Sequence, residues 1–90
     1  MCVVNLQIPT AGSLKDKRRV IKSLIKRIQN KFNVSIAEIG YHDAWGIAEL
    51  GIAFVSTDGQ HAHAALTKVV DHIDDLSLDY VLADYTIEIW

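Results

Sequence analysis

The pattern of apolar and polar positions at the start of the chain predicts a strand followed by a helix. Along residues 2–8 every second residue, from position 2 onward, is apolar, which is typical of a strand with one buried face. A Pro-Thr-Ala-Gly segment then breaks the alternation. Ser13, with Asp16 three residues later, predicts a helix start, because both side chains can bond the free N–H groups there. Apolar residues recur every three or four positions as far as Phe32, so we expect an amphipathic helix of about five turns.

The rest of the chain predicts a hairpin, a second helix and a last strand. Residues 34–41 and 45–56 have the composition of strands and flank a tight turn at 42–44, which predicts an antiparallel hairpin. Thr57 or Asp58 is expected to cap a second helix, whose core positions are Ala62, Ala65, Leu66, Val69 and Ile73. The last strand alternates again, and the residues expected to face its core side are Val81, Ala83, Tyr85, Ile87 and Ile89.

The resulting order, β-α-β-β-α-β, predicts the fold class: α/β, and within it a ferredoxin-like α+β sandwich. In that fold two helices pack on one face of a four-stranded antiparallel sheet. Ninety residues, half of them hydrophobic, suit one modest core, so we expect residues 1–90 to form a single domain. No apolar run approaches the roughly 20 residues of a membrane span, and the N-terminus has no signal-peptide features. With Cys2 alone no internal disulfide can form, and we expect a cytoplasmic protein.

Positive charge is concentrated in the first half of the chain. Residues 1–45 contain eight Lys or Arg against three acids, whereas residues 46–90 contain one Lys against eight acids. On a helical wheel of about 100° per residue, four cations of the first helix fall within about 60° of one another, with a fifth beside them. These five, named here the basic stripe, are Lys15, Arg19, Lys22, Lys26 and, beside them, Arg18. Such a stripe can follow nucleic-acid phosphates, but it is also expected of a solvated helix face that Asp71, Asp74 and Asp75 of the second helix partly neutralise.

The sheet face away from the helices, named here the open face, does not suit RNA recognition by base stacking. Modules that bind RNA in this way carry aromatic residues on their two middle strands, whereas Ile52 stands at one expected position and the first strand has no aromatic residue. By alternation, Glu49, Asp84 and Glu88 also lie on this face and repel phosphates. Its apolar residues predict homodimerisation through the sheet or along an edge strand. The expected interface residues are Val3, Ile36, Ile47, Ala53 and Val55, with Trp45, which otherwise anchors the hairpin.

Residues with catalytic or metal-binding chemistry do not form a convincing group. On a helix His61 and His63 point about 200° apart, so they share a metal only if that segment is extended, and no third ligand stands out. His42 and His72 stand beside acids as ordinary surface pairs. Cys2 is expected to be buried and therefore inert. We expect no catalytic residue, metal or cofactor, and no enzymatic activity.

The segment from Ser13 to Val20, Ser-Leu-Lys-Asp-Lys-Arg-Arg-Val, is the most specific motif of the chain. Together with residues 32–38, the Asp-Ala-Trp turn at 43–45 and residues 50–56, it resembles the YlxP-like family of small bacterial proteins, a domain of unknown function. The resemblance covers essentially the whole chain, with Asp16 in place of the more usual Glu. It implies a ferredoxin-like fold, a cytoplasmic setting and no established catalytic residues. It also implies a link to RNA or the ribosome, since members are often encoded near translation-factor and ribosome-maturation genes.

Three functions are compatible with these features. The favoured one is a non-enzymatic, dimeric binding module whose basic stripe docks on RNA or a ribosomal assembly, without sequence-specific DNA binding. The second is a small-ligand regulatory domain, because ligand-binding ACT domains share this order of elements and have a Pro-Gly-x-Leu turn before the first helix. Residues 9–14 resemble that turn, with two extra residues between Pro9 and Gly12. The third is a structural subunit held by protein contacts alone.

Overall fold

The order of helices and strands confirms the fold predicted from the sequence. A computed structural model describes residues 1–76 and 79–89. Its four strands form one antiparallel sheet in the order β2-β3-β1-β4, and the two helices pack on one face of it, as in ferredoxin-like proteins. The elements are β1 (Cys2–Gln7), α1 (Leu14–Lys31), β2 (Ser35–Gly40), β3 (Ile47–Ala53), α2 (Gly59–Leu76) and β4 (Val81–Ile87). No helix in the described ranges is both long and apolar enough to cross a lipid bilayer.

Both helices begin at the side chains that the sequence indicates. Ser13 Oγ accepts a hydrogen bond from the backbone N–H of Asp16 at 3.1 Å, and the Asp16 carboxylate accepts one from Gly12 N–H at 3.2 Å. Of the two residues considered for capping α2, Asp58 is the cap, because its Oδ1 accepts from Gln60 N–H at 2.9 Å. Each cap satisfies backbone donors that the first helical turn leaves free.

The core lies between the sheet and the two helices. Apolar side chains at three- and four-residue spacing on each helix meet every second residue of β1 and β3. The fully buried members on the strands include Cys2, Val4, Leu6, Leu50 and Ile52, and those on the helices include Leu24, Ile28, Leu66, Val69 and Ile73. Tyr80, at the entrance to β4, completes this core at 4% exposure and donates a hydrogen bond from its hydroxyl to the carbonyl of Ile73 at 2.6 Å.

In strand β2 the alternation of core-facing and open-face residues is shifted by one residue from the sequence prediction. The predicted placement of Ile36 on the open face is therefore wrong. Ile36 is 8% exposed and belongs to the core. Glu38, two residues on, also faces the helices, where Lys17 of α1 lies against it. That pairing lets a carboxylate lie on the core side, which alternation alone disfavours. Ala37 and the bulged residue Ile39 are exposed on the open face instead.

Strand β4 contains a β-bulge that changes which residues reach the core. Asn5 lies opposite Asp84, but the next residue of β1, Leu6, lies opposite Leu82, so Ala83 is an extra residue in β4. The bulge turns Leu82 toward the core and leaves Val81 53% exposed. The prediction that Val81 and Ala83 face the core is therefore wrong.

The hairpin connection is longer than the predicted turn at 42–44. It spans residues 41–46, with a turn closed by a hydrogen bond from Ala44 N–H to the carbonyl of Tyr41 at 3.0 Å. Tyr41 has a φ of 57°, in the left-handed region. Strand β3 also ends earlier than predicted, so Val55 lies beyond the sheet and is 96% exposed. Its predicted place on the open face is wrong.

Candidate nucleic-acid interface on helix α1

All five residues of the basic stripe are exposed to solvent on α1. The helical period that buries Ile21, Leu24 and Ile28 against the sheet turns the stripe away from it. From Lys15 to Lys26 the stripe extends about 16 Å along the helix axis at about 1.5 Å per residue. It is thus a narrow line of positive charge on the outer surface of the helical layer.

No carboxylate of residues 1–76 or 79–89 lies within 4.0 Å of a cation of the basic stripe. Asp71 and Asp75 of the second helix therefore do not neutralise the stripe through direct ion pairs. They instead line a surface groove with Lys31 and Lys68. The stripe thus keeps its capacity to attract anions at short range.

Lys17 stands among these cations in the sequence but is not part of the stripe. It is 1% exposed, and its Nζ lies 2.9 Å from Glu38 Oε2 and donates a hydrogen bond to the carbonyl of Tyr41. The position of Lys17 in the sequence indicates this burial, although its charge suggests exposure. Lys17 precedes Ile21 by four residues and Leu24 by seven, which is the spacing of the buried helix face.

The ion pair fixes the loop at residues 41–46 to the helical layer. Glu38 Oε2 is buried and accepts no hydrogen bond, so the nearby ammonium is what compensates its charge. The other end of the loop is held by a hydrogen bond from Ile8 N–H to the carbonyl of Gly46 at 2.8 Å. Trp45 lies between these two attachments and is 53% exposed. It can therefore serve as a partner contact.

The open face divides into a polar part and an apolar part. In the polar part, Asn5 donates a hydrogen bond to Asp84 Oδ1 at 2.8 Å, and Glu49 and Tyr41 line the same shallow depression. Two carboxylates here repel phosphates, and the described residues of β1 and β3 include no aromatic side chain on which a base could stack. This geometry is consistent with a nucleic-acid contact on α1 and not on the sheet.

The apolar part surrounds Gly51 of the central strand β3. A methyl group added at Gly51 would lie 3.1 Å from the side chain of Ile39 and 3.3 Å from that of Met1, so these two side chains cover the glycine. Of the predicted interface residues, Val3 and Ala53 lie in this part and Ile47 lies at the polar end, 37% exposed. Homodimerisation through this face stays a prediction.

His61 and His63, on α2, and Cys2, on β1, are on other elements than the basic stripe. His61 and His63 are both exposed on α2 and are not in the extended segment that a shared metal requires. Among the described residues, no three His, Cys, Asp or Glu side chains come together as metal ligands. Cys2 is fully buried, and burial raises the pKa of its thiol, which keeps it in the unreactive protonated form.

Comparison with known proteins gives two matches that agree with each other. The model of the family described as "Protein of unknown function (DUF503)" matches residues 1–87. A protein of Bacillus subtilis (strain 168) described as "Uncharacterized protein YlxP" is 52% identical over 64 residues, which cover 71% of this chain and 70% of the relative. Neither description names an activity or a partner.

Proposed function

Because the chain belongs to the DUF503 family of proteins of unknown function, we propose its function from its surface: it is a non-enzymatic module that binds RNA through the basic stripe of α1. The observation that carries this proposal is a line of five exposed cations with no carboxylate of the described residues within 4.0 Å. Cations already held in ion pairs would have to give up their partners before they could bind phosphate, whereas these do not.

The chemistry of the stripe favours a polyanion over a single small anion. Its cations repeat along one side of the helix over about 16 Å, which spans several phosphates of a nucleic-acid strand. Each phosphate contact releases condensed counterions, so the affinity of such a surface falls steeply with salt. The stripe has no aromatic residue between its cations, so it reads the backbone and not the bases. We therefore expect tight binding at low salt with little sequence preference.

We propose that the RNA belongs to a ribosomal assembly in the cytoplasm, because the resemblance to the YlxP-like family implies a link to RNA or the ribosome. The test in cells is recovery of the tagged protein from lysate with and without ribonuclease treatment. Co-purification of ribosomal subunits that is lost after ribonuclease supports the proposal. Protein partners that persist after ribonuclease support the alternative of a structural subunit held by protein contacts alone.

The direct test compares two sets of substitutions on the same helix. Lys22→Glu with Lys26→Glu reverses two charges of the stripe, and Arg27→Glu with Gln29→Glu and Asn30→Asp adds the same negative charge at exposed positions outside it. Both variants change the net charge from −2 to −6, so they differ in the position of the charge and not in its total. Binding to a structured RNA is measured by fluorescence anisotropy between about 0.05 and 0.3 M salt.

The stripe variant is expected to lose most of the affinity at low salt. Its plot of log affinity against log salt should become shallower by about 1.4 to 1.8, which corresponds to two lost phosphate contacts. The control variant should keep the slope of the unmodified protein. Equal loss in both variants shows that only net charge matters, and unchanged binding in the stripe variant rejects the interface outright.

A further inference from the structure

A second feature of the surface is a pocket beside the C-terminal end of α1, in the layer formed by the two helices. It lies where the chain leaves α1, beside the first half of α2, and has a volume of about 140 Å³. The rings of Phe32 and Phe54 form its apolar lining, and Ala65 of α2 leaves the space open. The His61 ring lies 5.6 Å from that of Phe54 and borders the opening. This pocket shares no residue with the basic stripe.

The size of the pocket limits what can enter it. A dry cavity of about 150 Å³ in another protein accommodates benzene, so a pocket of about 140 Å³ has room for one six-membered ring. The aromatic side chains around it favour a flat, unsaturated ring, because such a ring stacks on aromatic faces. The shape therefore favours a single aromatic ring.

The polar groups at the opening select among such rings. Asn33 contributes an exposed side-chain amide, which can both donate to and accept from the polar edge of a heterocycle. Lys68 contributes an ammonium group, and Lys31 lies 5.9 Å above the centre of the Phe32 ring. Within the described residues no carboxylate lies within 4.0 Å of either lysine. The ligand that fits has a ring with donors and acceptors on its edge and an attached anion.

We propose that this pocket binds a pyrimidine nucleotide, with the base between Phe32 and Phe54, its polar edge on Asn33 and its phosphate on Lys68. The same chemistry is present in a free mononucleotide and in an unpaired pyrimidine of an RNA strand. The inference concerns a surface other than the basic stripe and stands without it. If the nucleotide belongs to RNA, the pocket adds recognition of an unpaired base to the contacts that the stripe makes with the backbone.

The test uses uridine 5′-monophosphate as the probe, with binding followed by ¹H–¹⁵N NMR of the whole chain. Adenosine 5′-monophosphate tests the size of the base, uridine tests the phosphate, and inorganic phosphate tests the ring. We expect saturable shifts at the pocket residues with the uridine nucleotide, and affinity weaker by about tenfold or more for each of the other three. Equal binding of uridine and its monophosphate, or of the adenine and uracil nucleotides, overturns the proposal.

Two variants locate the binding to the pocket. Ala65→Leu fills the space for the ring, and Lys68→Met removes the phosphate contact while keeping the length of the side chain. Arg27→Met is the matched control, because it removes an exposed cation of α1 that does not line the pocket. The first two should abolish or strongly weaken binding of the mononucleotide, and the control should not. Circular dichroism checks the fold of each, and if Ala65→Leu does not fold, unchanged affinity in Lys68→Met by itself rejects the site.

A uridine hexanucleotide distinguishes the two sources of the ligand. If its affinity exceeds that of the mononucleotide, and the Lys22→Glu, Lys26→Glu variant removes only the excess, the pocket holds an unpaired residue of RNA. If the two affinities are equal, the ligand is the free nucleotide. The stripe variant also tests the two proposals independently. Structured-RNA binding in this variant reports on the stripe, whereas mononucleotide binding in the same variant reports on the pocket.

Discussion

Replacing Lys17 by Met is expected to destabilise the fold more than any substitution of an exposed lysine. The variant keeps a long apolar side chain in a site that is 1% exposed but removes the charge that lies 2.9 Å from Glu38 Oε2. It also removes the donor to the carbonyl of Tyr41. The buried oxygen Glu38 Oε2, which accepts no hydrogen bond, is then left on the core side of β2 without a compensating charge.

The size of the effect follows from the geometry of the pair. Two unit charges 2.9 Å apart attract by about 6 kcal/mol at an effective dielectric constant of about 20, and the desolvation of both groups opposes this. Removing one partner of a buried pair typically costs about 3–5 kcal/mol. The Glu38 side chain retains 18% exposure, so water can reach part of it, and we expect the lower end, about 3 kcal/mol. For a domain of this size that lowers Tm by about 12–24 °C.

Urea unfolding followed by circular dichroism measures this loss. Lys22→Met is the matched control, since Lys22 is exposed on the same helix and its substitution should change stability by about 0.5 kcal/mol or less. Combining Lys17→Met with Glu38→Leu removes both charges and should recover much of the loss, because a buried pair replaced by apolar groups is often near neutral. A Lys17→Met variant as stable as the control, or a double variant that is simply additive, refutes the reasoning.

Three further predictions concern single side chains. Tyr80→Phe loses the hydroxyl bond to Ile73 and about 1 kcal/mol at neutral pH. Burial raises the pKa of the Tyr80 hydroxyl from 10.0 to about 12, so as the pH rises the unfolded chain loses this proton before the folded protein does. The stability that the protonated hydroxyl contributes is therefore complete below pH 10 and is lost as the pH rises to about 12. Over that window the unfolding free energy of the unmodified protein should fall by about 2–3 kcal/mol relative to Tyr80→Phe, and parallel pH curves would contradict this. The thiol of Cys2 should react with Ellman's reagent at pH 8 only as fast as the fold opens, and immediately in denaturant; rapid reaction of the native protein would disprove its burial. Ser13→Ala should cost about 1 kcal/mol in urea unfolding, because Asp16 N–H loses its partner, whereas Ser23→Ala on the exposed face of α1 should cost little.

Local features of the chain were predictable because they depend on near neighbours in the sequence. The capping pair Ser13 and Asp16 lies within one helical turn, so its pattern is visible without any knowledge of the rest. The basic stripe follows from the helical period alone, since residues four apart share a face. The order of elements, and with it the fold, follows from where the apolar period changes from two to three or four.

Features that depend on contacts between distant segments were decided only by the tertiary structure. Which residues of β2 face the core depends on whether the Glu38 carboxylate can lie on that side. It can, because Lys17, 21 positions earlier and on another element, compensates its charge. The bulge at Ala83 reversed the facing of Val81 and Leu82, because one extra residue shifts an alternation of period two to the opposite side. The pocket lined by Phe32 and Phe54 likewise exists because the segments that follow α1 and β3 meet α2 there, although Phe32, Phe54 and Lys68 lie far apart in the chain. Sequence periodicity determines which side chains share a face of one element, whereas the packing of elements determines which faces meet.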